Sequence, residues 1–170
     1  MIIKKRINFI CPLLFAMFFS SSAFSAPNME MKVTATIKDA TCSFAKELGT
    51  IPLGEVDIAD LSTTDISLSK EVKVELKCGS DAKSVYLTMN GTATTNDTFK
   101  NEGTAAGVGL RIFEDAAKTK IVTPNTTKIA LTPSAQAASH NFTLGILALA
   151  GATPGPGSFL STVTIAISYS

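Results

Sequence analysis

Few residues in this chain have the chemistry of a catalyst. The single histidine, His140, lies beside the apolar stretch "NFTLGILALA". A Ser-His-Asp arrangement needs a histidine base between a nucleophile and an orienting acid, and no nucleophile-elbow motif occurs in the sequence. We interpret His140 as a surface or strand-end residue and expect that the protein is not an enzyme.

Candidate metal and phosphate sites are equally sparse. No group of His, Cys and Asp has metal-ligand spacing, and "TTNDTFKNEG" lacks the residue order of a calcium loop. The glycine-rich "GTAAGVG" leads into a strand pattern rather than a helix N-terminus, which disfavours a phosphate cradle. We therefore expect no metal and no cofactor, and a protein that works through its shape.

The N-terminus has the pattern of a secretory signal peptide. Lys4, Lys5 and Arg6 precede an apolar run over residues 7–19, and small residues follow it. This run is too short for a transmembrane helix. We predict a signal peptide over residues 1–25, a mature chain that starts at Ala26, and export from the cytoplasm.

The cysteines predict one disulfide. Cys11 lies in the signal peptide, which leaves Cys42 and Cys78 in the exported chain. Two cysteines alone do not make a zinc site, and no C-x-x-C motif suggests redox work. An even pair in an exported protein is most simply a disulfide, and we predict that Cys42 and Cys78 are bonded.

Charge excludes a further class of partner. Loss of the three signal-peptide cations lowers the formal net charge from +1 to −2. Basic and acidic residues are interspersed without a basic patch, so we expect no nucleic acid among the partners.

The elements that position these residues are predicted to be short strands. Apolar residues alternate in "EVKVELKC", "SVYLTMNG", "GVGLRIFED" and "NFTLGILALA", with turn signals between them. No segment shows a sustained 3.6-residue stripe. Six to eight such strands indicate an all-β protein, an antiparallel β-sandwich of a single domain.

The last fourteen residues, "GSFLSTVTIAISYS", also alternate. Phe159, Val163, Ile165, Ile167 and Tyr169 share one face with a single serine, whereas the other face is mostly small and polar. Chain ends are usually frayed and polar. A terminal strand with an apolar face therefore requires something to cover it.

Several motifs together resemble the pilin subunits of bacterial chaperone–usher fimbriae, of the type 1 and P pilus kind. "ATCSF" resembles the family's first-cysteine strand, "VELKC" the second, and "GVGLRIFED" its mid-domain strand with an acidic turn. The C-terminus is the most specific match, since Gly157 stands fourteen residues from the end and Tyr169 is next to last.

The resemblance implies an incomplete immunoglobulin-like sandwich that lacks its seventh strand, which leaves the core exposed beside the last strand of the chain. A periplasmic pilus chaperone fills the gap first, and the N-terminal extension of a neighbouring pilin replaces it at the outer-membrane usher. The resemblance thus implies a structural subunit of a cell-surface fimbrium that supports adhesion and polymerises non-covalently. The acceptor groove and chaperone-binding strand would contain Gly157, Phe159, Val163, Ile165, Ile167 and Tyr169.

The donor strand would be the N-terminal extension, residues 26–38, which precedes a pilin domain of residues 39–170. Its alternating stretch "MEMKVTATIK" places five apolar residues on one face: Met29, Met31, Val33, Ala35 and Ile37. Exposed strand edges accept such strands by β-augmentation. The family usually has glycine seven residues before the first cysteine, where this chain has Ala35.

Two alternatives remain open. The same N-terminal stretch could form the first strand of a closed sandwich, and the protein would then be a self-contained secreted binding module. Within the fimbrial interpretation, the chain could be a rod subunit or a minor tip adaptor.

Overall fold

The structure, a computed structural model, describes residues 34–35 and 40–169. Thr34 and Ala35 belong to no helix or strand. The strands all lie in one compact unit, Thr36–Ser170. They are β1 (Cys42–Phe44), β2 (Ser67–Cys78), β3 (Val85–Asn90), β4 (Ala93–Thr95), β5 (Thr98–Lys100), β6 (Val108–Phe113), β7 (Lys128–Leu131), β8 (Ala137–Ala148) and β9 (Thr164–Tyr169). A 3-10 turn covers Ile58–Asp60.

The strands form two sheets. Sheet A has the order β1-β2-β8-β6-β5-β4, and sheet B has the order β7-β3-β9. Every pairing in both sheets is antiparallel. The all-β sandwich predicted from the alternating pattern is confirmed.

The core lies between the two sheets. Sheet A contributes Val74, Leu76 and Phe142, and sheet B contributes Val85 and Leu87, all of them at most 2% exposed. These side chains sit at alternate positions of β2, β3 and β8, because a strand turns every second residue to the same face.

The predicted disulfide is present between Cys42 of β1 and Cys78 of β2. The two residues are register partners at the edge of sheet A, with Cα atoms 4.0 Å apart. The bond fixes the start of the domain to its longest strand pair.

The last strand is shorter than the sequence pattern predicts. The alternation extends from Phe159, but β9 begins only at Thr164. Before that point the chain pairs with residues 101–105 instead of β3: Glu102 N–H donates to Leu160 O at 2.6 Å, and Ala105 N–H to Ser158 O at 3.0 Å. The C-terminal stretch therefore changes partner near residue 163.

The contacts of His140 are those of a structural residue. It lies half-buried on β8, its Nε2 donates to the carbonyl of Glu114 at 2.9 Å, and its ring lies 4.6 Å from that of Phe142. In the described ranges, no group of three or more His, Cys, Asp or Glu side chains could hold a metal ion. No helix within those ranges has the length and apolar character needed to span a membrane.

One ion pair ties β6 to the β4–β5 turn. Arg111 Nη2 donates to Asp97 Oδ2 at 2.6 Å, and Asp97 Oδ1 accepts from the hydroxyls of Thr95 and Thr98. Desolvation raises the pKa of Asp97, but the two threonine hydroxyls and the Arg111 charge outweigh it, and the net effect lowers the pKa below its ordinary value.

Asp97 should therefore stabilise the domain in a pH-dependent way. We expect Asp97→Asn to lower the free energy of unfolding by on the order of 1 kcal/mol at pH 7, since solvent screens a partly exposed pair. A carboxyl with a lowered pKa contributes its stability above its ordinary pKa of about 3.9, and this stability is lost as the pH falls through the lowered value. Urea unfolding at pH 7 and at about pH 2.5 checks this. An equal difference between wild type and variant at both pH values would contradict the assignment.

Candidate strand-binding groove

A long groove opens between the inner faces of the two sheets, with a volume of about 1400 Å³. Its floor is the inner face of sheet A. The apolar side chains that form the floor come from β2, β6 and β8: Val72, Val74, Val108, Leu110, Ile112, Phe142, Leu144 and Ile146. The groove can therefore accept an extended apolar segment.

One wall of the groove is β9 with the residues before it. β9 pairs with β3 from Asn90↔Thr164 to Val85↔Tyr169. Its other edge pairs with no strand in the described part of the chain. Ile165 and Ile167 of β9 are only half-buried, whereas Leu87 of neighbouring β3 is 0% exposed. The core therefore covers the side chains of β9 less completely than those of β3.

The opposite wall is the irregular segment of residues 47–58. Leu48, Ile51 and Leu53 pack against the core from this segment and remain half-buried. Lys70 Nζ donates to Pro52 O at 2.9 Å. Within the described ranges, residues 47–56 make no backbone–backbone hydrogen bond. As far as the described residues show, both walls therefore have backbone groups that could pair with an entering strand.

Charge is confined to the rim of the groove. The ionisable side chains that line it are Lys46, Glu47, Glu55 and Asp57, all of which are exposed and lie along the irregular wall. The floor and the β9 wall contribute only apolar and small polar groups. An apolar occupant avoids the cost of burying a charge there.

The groove is anchored at one end where the C-terminal stretch crosses residues 101–105. Thr104 N–H donates to Ser158 Oγ at 3.1 Å, and Ser158 N–H donates to Thr104 Oγ1 at 2.8 Å. Asn101 Oδ1 accepts from Leu160 N–H at 2.9 Å. Gly157 allows this crossing, because a Cβ there would lie 2.5 Å from Ala105 N.

At the other end of the groove wall, Tyr169 reaches across to sheet A. Its hydroxyl lies 2.8 Å from both the N and the O of Cys42. The side chain is 49% exposed, so its ring is not part of the core. Tyr169 instead joins the last strand to the first.

The predicted acceptor residues fall in one place. Gly157, Phe159, Val163 and Ile165 line the groove, and Ile167 packs against the core farther along β9. The irregular wall was missed by sequence reasoning, because it has no alternating pattern. The one available signal was the apolar set Leu48, Ile51, Leu53 and Val56 in a stretch with no regular period.

The predicted donor residues are not tested. Met29, Met31, Val33 and Ile37 lie outside the described residues, and Ala35 lies in no helix or strand. Their role stays a prediction.

Comparisons with known proteins place the chain in a family. The family model for fimbrial protein matches residues 30–170. Among curated proteins, no sequence matches the chain. The P pilus rod subunit PapA is similar in structure, with a TM-score of 0.63, 17% identity, and coverage of 76% of this chain and 99% of that one.

Two further solved structures have the same fold. A chain of a chaperone–usher pilus has a TM-score of 0.64 at 20% identity, and the match covers 86% of this chain and 99% of that one. The CupB6 tip adhesin from Pseudomonas aeruginosa has a TM-score of 0.59 at 15% identity, with coverage of 76% and 38%. The family-model match and the shared fold show that the chain belongs to the fimbrial protein family and is a structural pilin, not an enzyme.

Proposed function

We propose that the protein is a subunit of a chaperone–usher fimbrium that polymerises by donor-strand exchange. The observation that carries this proposal is the groove of about 1400 Å³, which has an apolar floor and an unpaired β9 edge within the described residues. Free backbone groups beside an apolar trough are the two requirements of β-augmentation. The fimbrial fold of the neighbours supports the same assignment.

The N-terminal extension, residues 26–38, is the proposed donor. Its alternating stretch from Met29 to Ile37 has nine residues, the same number as the wall from Ser161 to Tyr169. Both span about 30 Å when extended. Full burial of Met29, Met31, Val33 or Ile37 would contribute about 1.5–3 kcal/mol each before the cost of ordering the strand.

The remaining assignments follow from this mode of assembly. Residues 1–25 serve as the signal peptide, and residues 39–170 form the pilin domain. A periplasmic chaperone occupies the groove before assembly, the exchange takes place at the outer-membrane usher, and neighbouring pilins are the final partners. The product is a surface fimbrium that supports cell adhesion.

A peptide experiment tests the proposal. A chain that lacks residues 26–38 should melt at a higher temperature when the peptide "APNMEMKVTATIKD" is added. At a peptide concentration of 100 Kd the gain is about 2.7 kcal/mol, or roughly 8 °C for a domain of this size. The same peptide with Val33→Asp is the matched control and should have little effect.

One outcome would favour the alternative function. If the shortened chain is already a stable monomer and no donor peptide changes its melting temperature, the groove does not accept a strand. The protein would then be a self-contained β-sandwich binding module. Because this subunit could prefer another subunit's extension, the peptide series includes the extensions of neighbouring pilins.

A further inference from the structure

Tyr169 makes an unusual contact between the two ends of the domain. Its hydroxyl accepts a hydrogen bond from Cys42 N–H and donates one to Cys42 O, both at 2.8 Å. The two residues are separated by 127 positions and belong to different sheets. One phenolic hydroxyl therefore bonds both the backbone N–H and the backbone C=O of a single residue.

The geometry of β1 explains why Cys42 has these groups to offer. Cys42 and Cys78 form an antiparallel register pair with Cα atoms 4.0 Å apart. Such close spacing is typical of a pair that does not exchange hydrogen bonds, whose N–H and C=O groups point away from each other. Because β1 is the edge strand of sheet A, the backbone groups of Cys42 point off the sheet. The Tyr169 hydroxyl takes the position that another strand would have.

Thr41 and Cys42 are also bonded to β2 and the residue after it. Gly79 N–H donates to Thr41 O at 2.8 Å, and the disulfide joins Cys42 to β2. Thr41 and Cys42 are the residues through which the N-terminal extension joins the domain. Tyr169 thus links this junction to the wall of the groove.

We propose that Tyr169 is a positioning residue that couples occupation of a subunit's groove to the order of the junction from which its own donor extension leaves. This inference rests on the proposed function. In the described part of the chain, β9 is paired on one edge only, and Tyr169 at its end is 49% exposed. A strand bound along the free edge orders β9 up to Tyr169, and the two hydrogen bonds transmit that order to Cys42.

The consequence concerns the donor subunit. A subunit with a filled groove presents its extension from a fixed junction, whereas a subunit with an empty groove presents it from a looser one. Because the proposed chaperone fills the groove before assembly, the subunit would present its extension from the fixed junction when it joins the fibre.

Amide exchange at Cys42 tests the coupling. The mature chain carries Val33→Asp, so that its own extension does not insert, and the wild-type peptide "APNMEMKVTATIKD" fills the groove. We expect the peptide to slow exchange of the Cys42 amide by about tenfold, the effect of securing one hydrogen bond. With Tyr169→Phe added, the peptide should bind with a similar Kd, but the slowing should fall below about twofold.

The second tyrosine provides the matched control. Tyr86 lies on β3, and none of its described hydrogen bonds uses the hydroxyl, so Tyr86→Phe should leave the slowing intact. Equal slowing in the Tyr169→Phe chain would overturn the proposal. If that variant does not fold, the Val33→Asp chain that keeps Tyr169 is still a sufficient test. Peptide binding that leaves the exchange rate of the Cys42 amide unchanged in this chain would refute the coupling. Failure of the peptide to bind at all would refute the proposed function as well.

Discussion

Val33→Asp in the mature chain should abolish fibre formation and leave the subunit folded. In the proposed fibre, Val33 fills an apolar part of the neighbouring groove, whose floor carries no ionisable side chain. A carboxylate there must stay charged without a partner or take up a proton at a raised pKa, and each option costs several kcal/mol. Together with the lost burial of valine, this weakens donor binding by a factor on the order of 10³ or more.

The measurement pairs two readouts in cells that express the chaperone and usher. Surface fibres report polymerisation, and the subunit–chaperone complex reports folding, because in the proposed assembly the chaperone occupies the groove and does not contact the extension. Thr34→Asp is the matched control, since Thr34 lies on the opposite face of the alternating stretch. We expect fibres with Thr34→Asp and none with Val33→Asp.

Two results would contradict this expectation. Fibres at normal levels with Val33→Asp would mean that the extension is not the donor. Loss of the chaperone complex with Val33→Asp would mean that the extension belongs to the domain's own core, as in a closed sandwich.

Local sequence pattern predicted the strands that turn a regular row of apolar residues toward the core. β2, β3 and β6 each have an inward row of apolar residues, and the buried Val74, Leu87 and Leu110 fall on the predicted faces. Period-two alternation indicates directly that one face of a strand is buried. The same logic failed for β7, which has only four residues and lies between the turn signals "TPNTT" and "TPSAQAAS".

The alternating pattern did not predict which strands pair with each other. The order β1-β2-β8-β6 brings together strands that are far apart in the chain, and alternation says which face is buried but not which strand is the neighbour. The predicted start of β9 was wrong for the same reason. Residues 158–160 alternate like a strand, but they bond to residues 101–105 and not to β3. The hydrogen bond from Tyr169 to Cys42 likewise depends on a fold that the sequence does not display.

The groove was predicted in part. The alternating pattern placed Tyr169 on the apolar face of the last stretch, whereas the position of Gly157 was marked only by the family resemblance, and neither gave a specific contact. The structure supplies the reason for each: Gly157 permits a close backbone crossing, and Tyr169 bonds to the edge of β1. The irregular wall of residues 47–58 has no period to detect, because it forms no strand and its apolar side chains therefore do not alternate.

Gly157→Ala should damage both the stability of the domain and its groove. Gly157 has φ = +152°, which L-residues rarely adopt, and an added Cβ would lie 2.5 Å from Ala105 N and 2.6 Å from Thr104 C. Since the contacted atoms are backbone, relief requires the two segments to separate. Backbone strain of about 1–3 kcal/mol and the lost hydrogen bonds at Ser158 together lower the free energy of unfolding by about 3–4 kcal/mol.

Gly151 offers a matched control for the conformational part of this cost. It has φ = +77°, but an added Cβ would meet no atom within 4 Å. Gly151→Ala therefore carries the backbone strain alone, about 1–2 kcal/mol. Urea unfolding of the two mature variants should show a clear difference between them, with Gly157→Ala the less stable.

Binding of the donor peptide, the second measurement, distinguishes damage to the groove from a general loss of stability. Phe159 stands two residues after Gly157 and lines the groove, so the displaced crossing should move its side chain out of the wall. Binding of the donor peptide should weaken by about tenfold or more in Gly157→Ala, the loss of part of one buried aromatic contact, and stay near wild type in Gly151→Ala. If both variants lose equal stability and bind the peptide equally well, the close crossing does not shape the groove. The glycine fourteen residues from the end would then be required only for its backbone conformation.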